Sequence, residues 1–184
     1  TNGTKFSKTI LDKLKFFKWV DMNISIDGFG NVYDYIRYPF SWAQLEKRMN
    51  ELKSYDFNIE FSCVVLAYNW LNLDQLVLNC RRHSDNDINF NFALYPFTSE
   101  LASKFLPDHI LDLGLERFKA TEHYQVKDFE NFVAYHKANR LSPNQLERKN
   151  DELYETTTNF DIVRNQSYKT LDPVLVTWLN TFKI

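Results

Sequence analysis

From Asn23 to Pro39 the chain reads Asn-Ile-Ser-Ile-Asp-Gly-Phe-Gly-Asn-Val-Tyr-Asp-Tyr-Ile-Arg-Tyr-Pro. An alternating apolar segment ends there in Ser25 and Asp27, turns at Gly28, and runs through Arg37 and Pro39 toward a helix. The C-terminal end of a buried strand is where α/β proteins place ligand contacts. Ser25 and Asp27 bring a hydroxyl and a carboxylate to that position without filling the space above it. Both residues also suit a second role, bonding the backbone of a glycine turn. Arg37 has the planar fork that grips a carboxylate or phosphate through paired bonds. It is equally suited to bracing its own loop in an ion pair. Asp21, Asp27 and Glu60 are further carboxylates able to act as acid or base in an ordinary barrel enzyme.

Other chemistries are poorly served. The two cysteines, Cys63 and Cys80, form neither a CxxC nor a disulfide framework, so a reducing, cytoplasmic compartment is expected. Cys63 falls on the apolar side of a strand, where it reads as packing. His83, His109, His123 and His136 show no HxxxH or HExxH spacing, so no zinc site is expected. His136 and Lys137 close a predicted helix, which its dipole favours. No GxSxG, P-loop or GxGxxG occurs. A formal charge of −2 calls for neither a nucleic-acid nor an anionic-membrane partner. No apolar run approaches the ~20 residues that cross a bilayer, and no signal peptide opens the chain. The sequence begins at Thr1 without a methionine, and its true start is expected upstream.

The elements that must position these residues are legible from periodicity. Val20–Asp27, Ile59–Leu66 and Asp87–Tyr95 each alternate apolar with polar residues, the pattern of strands with one apolar and one polar face. Helices are predicted between them, over Lys8–Phe17, after Ser41 and over Leu71–Arg82. Ser41 and Gln44 form a capping box, with Phe40 and Leu45 as its staple. Trp42, Leu45, Met49 and Leu52 make the buried stripe of that helix. Strands and helices alternating in this way imply βαβ units and a parallel sheet. Doubly covered parallel strands are usually apolar on both faces. The polar face therefore suggests a half-open barrel with a wet lumen, against the alternative of a solvated antiparallel sheet. After Tyr95-Pro96 helices take over: Pro107–Phe118, Glu122–Asn139, one capped by Ser142-Pro143-Asn144-Gln145, and Pro173–Phe182. Aromatic residues make up 16% of the chain, which points to an aromatic core.

Taken in order, several segments resemble radical S-adenosylmethionine (SAM) enzymes with a truncated, twitch-type C-terminal domain. Thr1-Asn2-Gly3-Thr4 is similar to the end of their third barrel strand. Ser25-Ile26-Asp27-Gly28 resembles the end of the fourth, and Tyr35-Ile36-Arg37-Tyr38-Pro39 with Trp42 the loop and helix after it. Leu66-Ala67-Tyr68-Asn69-Trp70 resembles the end of the fifth strand. Leu94-Tyr95-Pro96, followed by Leu106-Pro107, resembles the exit from the sixth.

The resemblance implies an α/β partial (β/α) barrel over residues 1–118, made of parallel strands three to six, and a helical extension over 119–184. It implies SAM bound at the strand C-termini by Asn2, Ser25, Asp27 and Asn69, with Arg37 as a further cofactor contact. It also implies a 4Fe–4S cluster, an electron donor such as a flavodoxin or ferredoxin, and a 5′-deoxyadenosyl radical acting on a peptide or small-molecule substrate. The CxxxCxxC that ligates such a cluster is not in this sequence. Nor are the first two strands, so both are expected upstream and no catalytic residue is assigned here. With those strands missing, the third-strand edge is expected to lie open and to lower solubility. The alternative is a non-catalytic α/β module that binds a small ligand or partner without a cluster.

Overall fold

The structure, a computed structural model, describes residues 1–3, 7–92 and 101–182. Three strands, β1 (Asp21–Ser25), β2 (Asn58–Val65) and β3 (Asn89–Phe92), form one parallel sheet in the order β1-β2-β3. Asn23 lies opposite Glu60, Ser25 opposite Ser62, and Val65 opposite Phe92. Helix α1 (Lys8–Leu14) precedes β1. The crossover to β2 carries α2 (Asn31–Ile36) and α3 (Trp42–Leu52), and the crossover to β3 carries α4 (Leu73–Cys80). Helices α5 (Asp108–Lys119), α6 (Val126–Ala138), α7 (Pro143–Arg164) and α8 (Pro173–Leu179) follow. Residues 93–100 are outside the described set, so the end of the third predicted strand and the Leu94-Tyr95-Pro96 segment are too, as is Thr4.

The period-two pattern reads through directly to burial. Met22, Ile24, Ile59, Phe61, Cys63, Val65 and Phe90 are buried on one side of the sheet. They belong to a single cluster that includes Leu45, Met49 and Leu52 of α3 and Leu73, Leu76 and Val77 of α4. A fully buried Ile, Leu or Phe contributes ~1.5–3 kcal/mol, so this one face dominates the stability of the sheet. The cluster continues to Phe129, Leu153 and Leu175, so residues 1–118 and 119–184 share buried contacts.

Aromatic rings fill the region beside β3. Phe118 stacks on Phe129 at 4.0 Å between centroids and Phe92 on Phe132 at 4.2 Å, with Phe90 edge-on to both Phe118 and Phe129. Trp70 completes the group, its Nε1–H donating to Ile110 O at 3.1 Å. Helix α5 comes so close to this ring that a Cβ on Gly114 would lie 2.1 Å from Trp70 Nε1, which leaves glycine alone at that position.

Helix starts follow their capping chemistry. The Ser41–Gln44 box is formed as expected, Ser41 Oγ accepting from Gln44 N and Gln44 Oε1 from Ser41 N. Before α7, Gln145 Oε1 accepts from Ser142 N. Helix α2 falls where a loop was expected. It starts after Gly30, whose φ of +60° favours glycine, and six residues are too few to display a helical period. The predicted Leu71–Arg82 helix is shorter, beginning as a 3₁₀ turn over Trp70–Asn72.

Both sheet edges carry polar partners. Thr1 runs beside β1, its amino group donating to Asn23 O at 2.9 Å and its carbonyl accepting from Ser25 N at 2.7 Å. On the β3 side, the Gln125 amide bonds both Phe90 N (2.8 Å) and Phe90 O (3.1 Å), in the manner of a neighbouring strand.

Candidate functional site

The strand C-termini gather three of the five sequence-predicted site residues into one bonded cluster. Asp27 follows β1 and is 7% exposed. Its Oδ1 accepts from Val64 N at 3.0 Å, and its Oδ2 pairs with Arg37 Nη2 at 2.6 Å. Asn69 follows β2 and is fully buried. Its Oδ1 accepts from Leu66 N at 2.7 Å, while Nδ2 donates to Val64 O at 2.8 Å and Asp27 O at 3.0 Å. The two strand ends are therefore laced together by side chains that bond the protein's own backbone. Arg37 takes the ion-pair role offered for it, whereas Asp27 bonds the neighbouring strand at Val64 N rather than the glycine turn beside it.

The other two predicted residues lie beside this cluster. Ser25, opposite Ser62 in the sheet, is half-buried, and its hydroxyl has no partner among the described residues. Asn2 is exposed, next to the Thr1 main chain that pairs with β1.

Sequence reading missed Tyr33, Asp34 and Asn72. Asn72 Oδ1 accepts from Phe29 N at 2.7 Å, tying the loop after β1 to the start of α4. Asp34 accepts from Trp42 N at the start of α3. Contacts across such sequence separations leave no local signal.

Two donors in this region are buried without acceptors: the Tyr33 hydroxyl and Arg37 Nε. Burial raises the Tyr33 phenol above its ordinary value of 10.0, opposed by Arg37 and reinforced by Asp27 and Asp34. Tyr33 is therefore a neutral O–H donor within electrostatic reach of the Asp27–Arg37 pair. Buried polar groups are nearly always bonded, and two orphaned donors beside a guanidinium suit an acceptor such as a carboxylate or hydroxyl oxygen.

Cys63 and Cys80 are both buried thiols, and burial pushes each above its ordinary value. Among the described residues no three His, Cys, Asp or Glu side chains gather as a metal site. His123 serves the fold: Gln125 N donates to its Nδ1 at 3.1 Å and its Nε2 sits 2.9 Å from Ile88 O. With Nδ1 accepting, the hydrogen is on Nε2, and the ring is neutral.

The second half of the candidate site is the sheet face opposite the core. Asp21, Asn23, Glu60, Asn89 and Asn91 are exposed there, with Ser25, Asn58 and Ser62 half-buried. Side chains cross-link along it: Asn58 Nδ2 donates to Asp21 Oδ1 (2.7 Å), Asn86 Nδ2 to Asn58 Oδ1 (2.7 Å), and Ser62 Oγ to Asn23 Oδ1 (2.8 Å). Glu60 sits in the middle of this face with no ion pair among the described residues. The face is a flat array of amides, hydroxyls and carboxylates able to contact a polar molecule. No helix of the described residues is long and apolar enough to cross a membrane. Comparison with protein-family profiles, curated proteins and solved structures found no match to the chain.

Proposed function

We propose that this chain is part of a radical SAM enzyme of the twitch type. In this reading β1, β2 and β3 are strands four to six of a partial barrel, with the cluster-binding segment upstream. The single observation that carries it is the bare polar sheet face. All-parallel sheets are covered on both faces almost without exception and are apolar on both. One bare face lined by Asp21, Asn23, Glu60, Ser62, Asn89 and Asn91 is what the wall of a polar barrel lumen requires. The Thr1 main chain beside β1 suits a sheet that continues past that edge.

When bound and reduced, SAM supplies hydrogen-abstraction chemistry toward a peptide or small-molecule substrate, with a flavodoxin or ferredoxin as electron donor. The residues of this chain bind and orient. Ser25 offers a hydroxyl at the rim. Arg37 is held on Asp27 through Nη2 and keeps Nε–H for an acceptor, and Tyr33 O–H is a second donor. Asn69 is a positioning residue that fixes the two strand ends. Residues 119–184 form the helical extension. Two free buried thiols suit a reducing cytoplasm.

A second reading is favoured by the inward bonding of Asp27 and Asn69: a non-catalytic α/β module that binds a ligand or partner without a cluster. Anaerobic reconstitution of the full-length protein with iron and sulfide, followed by reduction in the presence of SAM, separates the two. The enzyme reading expects 5′-deoxyadenosine and methionine. Reconstituted protein that takes up no iron and forms neither product would overturn it in favour of the module.

A further inference from the structure

A cleft of about 210 Å³ lies in the helical region, where the residues preceding α5 meet the end of α6 and the start of α7. Its cationic side is made by Lys104 and Arg140, with the His136 ring beside them, and its apolar side by Phe105, Tyr135 and Leu146 among others. The two sides are built differently. Arg140 is locked in place: its Nε donates to Asp108 Oδ1 at 2.9 Å, Nη1 to Lys104 O at 3.1 Å, and Nη2 to Leu106 O at 2.6 Å and to the Asp108 carboxylate. A guanidinium has five N–H donors, so one Nη1 hydrogen is left over. Lys104 Nζ rests 5.0 Å from the Phe105 ring centroid and has no carboxylate partner among the described residues. The His136 ring is fixed against Phe132 at 4.5 Å and Tyr135 at 5.1 Å. Burial, then the charges of Lys104 and Arg140, lower its pKa, so it is a neutral group in a positive field.

We propose that this cleft binds a small organic monocarboxylate with a compact apolar body, of the aromatic or short-chain class. Charge sets the anion: Asp108 pairs with Arg140, leaving the Lys104 charge on the cleft lining to be met. Donor chemistry sets the headgroup: Lys104 and Arg140 both line the cleft, and the Lys104 ammonium and the remaining Arg140 Nη1–H are donors for which a carboxylate supplies two acceptor oxygens. The ring and leucine wall sets the body, and would leave an inorganic anion without apolar contacts. Size sets the limit, since the cleft is below the ~300 Å³ at which sites accept drug-sized ligands. None of this depends on the strand-end reading above.

The test is titration of the whole chain with benzoate, its neutral isostere benzamide, and inorganic phosphate, read by calorimetry and by the His136 ring resonances. Benzoate is expected to bind saturably and shift those resonances, with benzamide and phosphate each weaker by about tenfold, one charge-assisted bond. Lys104→Ala should weaken benzoate by a similar factor with an unchanged unfolding midpoint; Lys104→Gln carries the same test should the alanine variant fold poorly. Overturning results are equal affinity for benzoate and benzamide, phosphate binding as tightly as benzoate, unchanged benzoate affinity in the Lys104 variants, or no saturable response.

Discussion

The strand ends and the sheet face carry similar residue types and use them in opposite ways. At the ends, Asp27 and Asn69 are buried and direct their side chains to backbone groups of Val64, Leu66 and Asp27 itself. On the face, Glu60, Asn89 and Asn91 are exposed, and the bonds between Asn23 and Ser62 or Asp21 and Asn58 link one surface side chain to another. A carboxylate or amide in a strand-end motif therefore does not announce its partner. Burial decides whether its bonds hold the fold together or stay open to a ligand. Of the strand-end residues, Ser25 keeps a partly exposed hydroxyl, while the Tyr33 hydroxyl and Arg37 Nε are buried donors left without acceptors.

The contrast is sharpest for Asn69. Asn69→Ala leaves Leu66 N, Val64 O and Asp27 O short of a partner in a dry site, at ~1–3 kcal/mol for each group. A loss of about 4 kcal/mol is expected in urea unfolding. Asn69→Asp keeps the acceptor for Leu66 N, removes both donors and buries a charge, so it should not restore stability. A loss below about 1 kcal/mol for the alanine variant would place Asn69 with the open face.

Asp27→Ala removes the acceptor for Val64 N and leaves Arg37 with an uncompensated charge. Breaking a buried pair costs ~3–5 kcal/mol. Arg37 is 27% exposed, so about 2 kcal/mol is expected by the same measurement.

Acid provides the next effect. Burial holds His123, His83 and His136 below their ordinary value of 6.5. As pH falls, the unfolded chain takes these protons before the folded one. Stability should be complete above about pH 6.5 and decline as pH drops toward the lowered folded values. Unfolding midpoints across this range check the sign, and His123→Gln should flatten the slope. A midpoint that rises on acidification would contradict the buried, neutral assignment.

The smallest effect belongs to the open face. Glu60→Gln should change stability by less than ~0.5 kcal/mol, because Glu60 is exposed and has no ion pair among the described residues. A substantial loss there would mean that the face is not open in the protein.

The sequence showed the sheet clearly because alternation in β1 and β2 is a local pattern with a single physical cause, one buried face. Ser41 and Gln44 were equally readable, since a capping box is confined to four residues. Helix α2 was not, being shorter than the window in which a helical period shows. At the site, the sequence brought Asp27, Arg37 and Asn69 into view and left open what each would bond. The choice turned on Val64 N, Leu66 N and Arg37 arriving at one place, which only the packing of β1 against β2 decides. Tyr33 stood out in neither pattern nor motif, because an orphaned hydroxyl is a property of its surroundings.

The central claim is that the rim above the open face holds SAM. Equilibrium titration of SAM onto the full-length protein, with Ser25→Ala, Arg37→Lys and Lys104→Ala in parallel, tests it most directly. The account predicts saturable binding, weakened about tenfold by Ser25→Ala and by Arg37→Lys, which removes Nε–H, and unchanged by Lys104→Ala. No saturable binding, or equal affinity in all four proteins, would contradict it.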